Sequence, residues 1–443
     1  MRICFIPIDN RPVCYDLAKD ITAIDNSIEL LIPPHNMLGS LVKYADSESI
    51  LNWIENLPDF DVMVLSLDTL AYGGLIPSRR ICDSYEQIKS RIKRLKPIIK
   101  GKKVFAFSSI MRISNNNCNE EEKEYWNEFG TKIFEFSYKS HKLGKKIKTN
   151  IPQEIIDDYI QTRNRNFKIN KLYLEWQKEG FFDTLIFSKD DCAEYGFNVQ
   201  EAAEIEKLGG TTKTGADEIP LMLLAKALEK EIKIYPLFLE PDYKNCISNY
   251  EDVSIEKSVL GQLRLGGFKI AETEDESDVV LVINNFIEKQ GELVMKWETE
   301  PFGRKFIRPS KPYAVADVRY ANGSDNKLIS ELFKQETMPE YGYSGWNTSA
   351  NSIGSLLSAV KVKYHAKEYN DTAFKKLQLI RLLDDWGYQA NVRDKITKPC
   401  DIKDLMTPYE NKVLDFLQEN DKSYNISYSF PWNRKFEISI SVN

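Results

Sequence analysis

Residues 3–11 read Ile-Cys-Phe-Ile-Pro-Ile-Asp-Asn-Arg, an apolar run of strand length that is followed at once by polar side chains. The pattern returns at residues 62–68, which read Val-Met-Val-Leu-Ser-Leu-Asp. Strands that are apolar on both faces are typical of a parallel sheet covered by helices on both sides. The repeated pattern therefore predicts an α/β fold built from βα units.

The first half of the chain contains six such runs, at residues 3–8, 28–32, 62–67, 104–110, 184–187 and, more weakly, 211–214. Helical patterns lie between them at 47–57, 85–99 and 155–180, and the last is long enough for two helices. We expect a parallel α/β domain over residues 1–230. Periodicity does not distinguish a barrel-like sheet from an open, doubly wound one.

A second group of apolar runs follows at residues 232–239, 279–284 and 313–318, with helical patterns at 255–265 and after Trp346. These predict a smaller Rossmann- or flavodoxin-like α/β domain over residues 231–360. The remaining residues, 361–443, read as helices at 372–386 and 408–417 that end in an alternating strand pattern at 424–442. This tail is expected to be structural.

The composition excludes several classes of protein. The 443 residues carry 60 basic and 66 acidic side chains, a formal charge of -6, which gives no broad electrostatic attraction for nucleic acid. Seven cysteines occur without a C-x-x-C pair, and their odd number favours a reducing compartment. The first apolar run is too short for a signal peptide or a membrane span. We therefore expect a cytoplasmic protein without a membrane segment, and the sequence leaves its oligomeric state open.

Polar side chains follow nearly every predicted strand. Because loops at the carboxyl ends of parallel strands converge on one crevice, we expect these side chains to bind a small-molecule substrate. The expected substrate-binding residues of the first domain are Asp9, Asn10, Arg11, Asp68, Tyr72 and Arg112. Those of the second are Asn285, Asp317, Asn322, Trp346, Asn347 and Asn351. A single Asp after a strand often caps a helix, so the argument depends on the recurrence.

Two acidic pairs are the candidate catalytic groups, Asp190 with Asp191 and Asp217 with Glu218. Adjacent carboxylates in a partly buried rim repel each other, so that one tends to keep its proton at neutral pH beside an ionised neighbour. Such a pair supplies an acid and a base. The structural alternative for Asp217 and Glu218 is a helix start, where the helix dipole favours acidic residues.

Trp346 and Asn347, which follow Tyr341 and Tyr343, could stack on a sugar ring and bind its hydroxyls, although aromatic core packing is an equal alternative. The glycine pairs at 73–74 and 209–210 form neither a G-x-G-x-x-G motif nor a P-loop, so no nucleotide cofactor is predicted. The three histidines have no zinc-site spacing. The carboxylates Asp9, Asp68, Asp190 and Asp191 could nevertheless bind Mg²⁺, Mn²⁺ or Ca²⁺ through oxygen.

Several motifs resemble a known bacterial family. They are Ile-Pro-Ile-Asp-Asn-Arg-Pro-Val at 6–13, Ser-Leu-Asp-Thr-Leu-Ala-Tyr-Gly-Gly-Leu at 66–75 with Ser78 and Arg79, Gly-Ala-Asp-Glu at 215–218, and Gly-Trp-Asn-Thr at 345–348. Residues 111–112, 188–191, 316–317 and 321–323 extend the likeness along most of the chain. On these motifs the chain resembles domain-of-unknown-function family 4127 (DUF4127). The family name implies no chemistry. Its members are expected often to carry Gln where this chain has Lys189, so that lysine is not expected to be essential.

A looser likeness bears on function. Gly-Ala-Asp-Glu before a helix is similar to the Gly-Asp-Glu motif of family 20 hexosaminidases, and Asp-Asp after a strand is similar to family 84. The likeness implies that one carboxylate positions an N-acetyl group of the substrate as internal nucleophile while another protonates the leaving oxygen. In the ordinary two-carboxylate scheme, a separation of about 5–5.5 Å gives retention and about 6.5–9.5 Å gives inversion.

The leading hypothesis is a glycoside hydrolase, with N-acetylhexosaminides as a candidate substrate class. Asp190, Asp191, Asp217 and Glu218 would supply acid and base, and the remaining rim residues would orient a sugar. One rival is a metal-dependent hydrolase that uses the same carboxylates to hold an activating cation. The other is a non-catalytic protein whose two α/β lobes close around a small polar ligand.

Overall fold

The computed structural model describes residues 1–190, 192–419 and 424–443, and these form two compact units. The first unit comprises Met1–Tyr15, Glu29–Pro220 and Tyr250–Asp252. The second comprises Asp16–Ile28, Leu221–Asn249 and Val253–Asn443. Apart from residues 250–252, the segments expected at 231–360 and 361–443 both lie within the second unit.

The strands have two to eight residues. In chain order they are β1 (Arg2–Ile6), β2 (Glu29–Leu31), β3 (Val62–Ser66), β4 (Lys103–Ile110), β5 (Thr184–Lys189), β6 (Thr211–Thr214), β7 (Lys233–Phe238), β8 (Lys269–Ile270), β9 (Val279–Asn284), β10 (Gly291–Glu292), β11 (Tyr313–Asp317), β12 (Tyr320–Ala321), β13 (Tyr343–Ser344), β14 (Ile426–Ser429) and β15 (Ser439–Val442). The central strands β3, β9 and β11 are buried along their whole length, as strands covered on both faces must be.

The helices alternate with these strands. They are α1 (Asp16–Thr22), α2 (Ser47–Glu55), α3 (Leu67–Tyr72), α4 (Pro77–Arg80), α5 (Tyr85–Ile92), α6 (Leu95–Ile99), α7 (Trp126–Leu143), α8 (Gln153–Lys178), α9 (Phe197–Lys207), α10 (Ile219–Ala227), α11 (Ile255–Leu265), α12 (Asn326–Leu332), α13 (Ser349–His365), α14 (Asp371–Arg381) and α15 (Ile402–Leu417). A π-helix spans Leu382–Val392, directly after α14. Short 3₁₀ turns lie at His35–Met37, Pro241–Tyr243, Arg393–Lys395, Pro399–Asp401 and Pro431–Asn433.

The first unit is built on a parallel sheet with strand order β2-β1-β3-β4-β5-β6. Within the described residues its outer strands β2 and β6 pair on one side only, so the sheet is open. One apolar core lies against this sheet and the helices α2, α3, α5 and α8, and a second core lies between α7 and α8. The α/β class with parallel sheets is thus confirmed.

Local sequence explains several of the helix limits in this unit. Ser84 and Gln87 form a reciprocal capping box at the start of α5, and Asp46 accepts a hydrogen bond from the Ser49 backbone to cap α2. The pattern at 155–180, which seemed long enough for two helices, is the single helix α8 of 26 residues. No glycine or proline interrupts it between its limits.

The second unit contains a parallel sheet of order β13-β11-β9-β7-β8. The small strands β10 and β12 pair in parallel, and β14 and β15 form an antiparallel ladder. The apolar core of this unit joins β9 and β11 to the π-helix, α15 and both C-terminal strands. The tail from residue 361 therefore packs on the same core as the second sheet.

Within the described parts of the chain, no helix combines the length and the apolar composition that crossing a membrane requires.

Candidate active site

The loops that follow β1 and β6 meet at one guanidinium group. Nη2 and Nη1 of Arg11 donate to the two carboxylate oxygens of Asp217 at 2.7 and 3.1 Å. Nε of the same arginine donates to Asp9 at 2.9 and 3.0 Å. All three side chains are only 10–11% exposed. The fork geometry fixes both carboxylates against one positive charge.

This contact crosses the sheet, because β3, β4 and β5 lie between β1 and β6 in the strand order. The central strands that end near Asp68, Arg112 and Asp190 therefore lie between these two loops in the sheet order. Cys14 also belongs here: its buried Sγ lies 3.5 Å from Nη2 of Arg11 and 3.6 Å from Oδ1 of Asp217. Sequence reasoning missed Cys14, since no cysteine motif surrounds it.

A chain of buried polar groups runs beneath the rim. Asp68, which follows β3, accepts hydrogen bonds from the Ser109 backbone at 2.8 Å and from the Ser108 hydroxyl at 3.2 Å. Ser108 also contacts Asn170 of α8, and the Ser188 hydroxyl donates to Ser109. Burial raises the pKa of Asp68 to about 6, which these hydrogen bonds only partly offset.

Sequence reasoning found Asp68 but missed its partners. Adjacent serines at 108–109 interrupt an otherwise apolar strand, and Ser188 does the same in β5. A polar side chain within a buried run needs a hydrogen-bond partner, so those interruptions were the available signal.

A third cluster lies at the ends of β4 and β5. Arg112 donates to Asp190 at 3.3 Å and to Glu121 at 2.6 Å. Arg79, which is almost fully buried, pairs with Glu122 at 3.0 Å. Burial lowers the pKa of the Arg79 guanidinium. The predicted residues Arg112 and Asp190 are thus brought together, whereas Arg79, Glu121 and Glu122 had not been predicted as site residues.

Glu218 is turned back on its own loop. Its Oε2 accepts a hydrogen bond from the Ala216 backbone at 3.1 Å, and its side chain is buried. Gly215 has a φ of +114°, and a Cβ at that position would lie 1.9 Å from Oε1 of Glu218. The motif at 215–218 therefore requires its glycine both for the backbone conformation and for the space that Glu218 occupies.

Two lysines lie beside this motif. Lys189 forms an ion pair with Asp252, which also accepts a hydrogen bond from the Thr214 hydroxyl. Lys213, on β6, donates to the Thr214 carbonyl at 3.2 Å, and burial lowers the pKa of its ammonium group. Neither lysine had been predicted as a site residue.

The other predicted residues of the first unit have backbone or packing roles. The Asn10 backbone accepts from the His35 ring at 3.0 Å and donates to Gly39 at 3.1 Å. Tyr72 is buried in the apolar core, and its hydroxyl has no hydrogen-bond partner among the described residues. Asp191 lies outside the described residues.

Asp317 is the centre of a buried polar network in the second unit. It accepts hydrogen bonds from Asn284 at 2.8 Å, from the Asp325 backbone at 2.7 Å and from the Tyr343 hydroxyl at 2.9 Å. Burial, and next the charge of Asp325, raise the pKa of Asp317 to about 6. Asp385, which had not been predicted, accepts from the Gly345 backbone at 2.7 Å, and burial raises its pKa to about 7.

The remaining predicted residues of this unit surround that network. The Asn285 amide clamps the backbone of Glu240 through bonds of 2.9 and 2.7 Å. Asn322 and Asn347 both have a φ of +61°, and their backbones are joined by a hydrogen bond of 2.9 Å. Trp346 is 4% exposed, and Asn351 is buried near the start of α13. The burial of Trp346 leaves little of its ring accessible for stacking.

Among the described residues, no group of three or more His, Cys, Asp or Glu side chains is placed to hold a metal ion. The carboxylates at the rim are instead bound by arginine, hydroxyl and backbone donors. The structure thus brings together Asp9, Arg11 and Asp217 in one cluster and Arg112 with Asp190 in another.

No curated protein and no solved structure shows a significant similarity to this chain. A family model described as a protein of unknown function (DUF4127) matches residues 3–441. That range contains every motif on which the resemblance was based. Because the match covers nearly the whole length of the chain, the chain belongs to the DUF4127 family.

Proposed function

We propose that the chain is a hydrolase, and specifically a glycoside hydrolase, whose chemistry takes place at the carboxyl edge of the six-stranded sheet. One observation supports this most directly: Arg11 joins Asp217 to Asp9 across three intervening strands. Asp68 and Asp190 follow β3 and β5, two of the strands that lie between β1 and β6 in the sheet order. Carboxyl groups in different electrostatic environments at one edge are what acid and base roles require.

The proposed roles follow from those environments. Asp217 has its charge balanced by Arg11 and would accept the proton of the attacking water or support an N-acetyl nucleophile. Asp190 is paired with Arg112 at the longer distance of 3.3 Å. With Asp191 next to it in sequence, it would protonate the glycosidic oxygen as the bond to the sugar breaks. Water adds to the sugar and its proton passes to the base, so atoms and charge balance.

Glu218 and Asp68 would act as positioning residues. The Glu218 carboxylate is bound to the Ala216 backbone, one residue before Asp217, and therefore fixes the loop that carries the base. Asp68 is buried and binds Ser109 at the end of β4, next to the strand end that carries Asp190. Replacing Glu218 or Asp68 should change the orientation of the reacting carboxylates but leave both of them present.

Hydrolysis can be tested with the purified full chain and a panel of 4-nitrophenyl glycosides that includes N-acetylhexosaminides. Asp217→Asn and Asp190→Asn should each lower kcat/KM by about 10²–10⁴-fold, the usual contribution of an acid or base. Glu135→Gln is the matched control, since its side chain is 62% exposed on α7. Failure to cleave any glycoside, or full activity in both Asn variants, would reject the proposal.

Chelation separates the two hydrolase mechanisms. Activity that survives EDTA supports carboxylate catalysis, whereas loss of activity with recovery in Mg²⁺, Mn²⁺ or Ca²⁺ would support the metal-dependent alternative. The third alternative is a non-catalytic protein that binds a small polar ligand. It would bind a sugar without turnover, and the Asn variants would change only its affinity.

A further inference from the structure

A cleft in the second unit is lined by residues that take no part in the proposed hydrolysis. It has a volume of about 580 Å³, within the range of small-molecule sites. One wall is the segment 292–299, which carries Trp297, and another is the end of the π-helix with the turn that follows it. The side chains that line it include Trp297, Tyr320, Asn391, Asp394 and Lys395.

The aromatic wall is held in place by a tight hairpin. The backbones of Glu292 and Trp297 exchange two hydrogen bonds of 2.9 Å, and Lys296 between them adopts a φ of +57°. The buried Glu292 carboxylate accepts from the Met295 backbone and from the side-chain amide of Asn322. The hairpin is thus fixed, yet Trp297 remains 49% exposed. An exposed indole on a rigid support is costly to leave in water and suited to stacking.

The opposite wall has an unusual backbone. The π-helix is rare and is often found at functional sites, and residues 389–391 at its end line the cleft. Gly323 permits this wall to approach: a Cβ there would lie 2.6 Å from Cδ1 of Leu293 and 3.2 Å from the Ala390 nitrogen. The Asn322 and Gly323 motif therefore supports both walls of the cleft. The Asn391 amide is fixed by bonds of 3.0 and 2.8 Å to Asn326 and the Trp386 carbonyl.

The charges of the lining limit the class of ligand. The exposed charges of the lining balance: Glu298 and Asp394 are matched by Lys296 and Lys395, and the Glu292 carboxylate is buried. A phosphate or other strong anion would therefore meet no net positive charge, and an apolar ligand would leave these charged groups without water. A neutral polyol can donate hydroxyls to carboxylates, accept from lysine and amide groups, and place one ring face on the indole.

From this combination we infer that the cleft beside Trp297 is a binding site for a neutral saccharide of one or two rings. This inference is independent of the proposed hydrolysis. Trp297 provides the stacking face, and the polar side chains of the cleft bind the hydroxyls. No bond is made or broken at this site.

Equilibrium titration of the full chain tests the inference. The probes are N,N′-diacetylchitobiose, cellobiose, maltose and lactose, with glucose 6-phosphate as the anionic comparator. At least one neutral disaccharide should bind saturably, and Trp297→Ala should weaken that binding by about tenfold, or ~1.4 kcal/mol. Ile307→Ala is the control, because Ile307 is an exposed apolar residue of the same unit that does not line the cleft.

Thermal unfolding of each variant shows whether it remains folded. The inference is overturned if none of the four disaccharides binds, if glucose 6-phosphate binds more tightly than all of them, or if the Trp297 and Ile307 variants lose affinity equally. Binding is measured without turnover, so a protein that binds but does not hydrolyse rejects only the proposed function. A protein that hydrolyses glycosides without losing affinity in Trp297→Ala rejects only this inference.

Discussion

Arg11 and Asp217 are 206 residues apart in the sequence, and a bidentate pair of hydrogen bonds of 2.7 and 3.1 Å joins their side chains. The same guanidinium binds Asp9, so one positive charge serves two carboxylates. All three groups are largely withdrawn from water. Removing the arginine therefore leaves two poorly solvated negative charges next to each other.

We expect Arg11→Met to lower the free energy of unfolding by about 3 kcal/mol, because breaking a buried ion pair from one side leaves its partner unpaired. Arg2→Met is the control: the Arg2 and Glu29 side chains are 48% and 55% exposed, so water screens their ion pair and its loss should change stability much less. Urea unfolding measures both. Adding Asp217→Asn to Arg11→Met should recover part of the loss, and equal losses in the two single variants would contradict the prediction.

Asp68 should make stability depend on pH. Its pKa is raised by burial from 3.8 to about 6, so its contribution is fully present below pH 4 and is lost as the pH rises to 6. Asp68→Asn, which can still accept from Ser109, removes this titration. Relative to the wild type, the variant should gain about 2 kcal/mol between pH 4 and pH 6, with little further change above.

Urea unfolding across that pH range measures the difference between wild type and Asp68→Asn. Glu135→Gln provides the comparison, because this side chain is 62% exposed on α7. A constant difference between the wild type and Asp68→Asn would show that Asp68 is not the titrating group.

Gly323→Ala tests the close approach beside the cleft. Gly323 has a φ of +146° and lies near the Ala390 backbone and Leu293, so an added methyl meets both strain and a steric clash. We expect a loss of about 3 kcal/mol in thermal or urea unfolding. Gly144→Ala, with a φ of +63° and open space around it, should lose only about 1 kcal/mol. Comparable losses of stability in the two variants would mean that backbone strain alone, without a steric clash, accounts for the requirement for glycine at position 323.

The Tyr343 hydroxyl should stabilise the second unit. It lies 2.9 Å from Asp317 and 2.6 Å from the Ser324 hydroxyl, and all three groups are buried. Tyr343→Phe removes the hydroxyl that bonds both groups, and should cost about 1–3 kcal/mol. Tyr341→Phe, two residues earlier, removes a hydroxyl that has no hydrogen-bond partner among the described residues, and should change stability by less than about 0.5 kcal/mol. Chemical denaturation of the two variants decides between these outcomes.

Much of the secondary structure was predictable because its cause is local. The strands at 211–214 and 279–284 have the predicted limits, and the other predicted strands of the two parallel sheets differ by one or two residues at one or both ends. Apolar periodicity and capping residues act over a few neighbours, so they can be recognised without coordinates. The pattern at 372–386 was less informative. It divides into α14 and the π-helix, because side-chain periodicity does not reveal which carbonyl each amide binds.

Local patterns in the sequence were enough to establish an α/β chain with parallel sheets, its family, and the polar side chains that follow its strands. Which of those side chains meet depends on the folded chain: Arg11 with Asp217, Arg112 with Asp190, and Asp68 with the serines of β4. The folded chain also buries Trp346 while it leaves Trp297 exposed. Strand order and packing bring distant residues within hydrogen-bond distance and remove water from some of them, and neither effect is written in local sequence patterns.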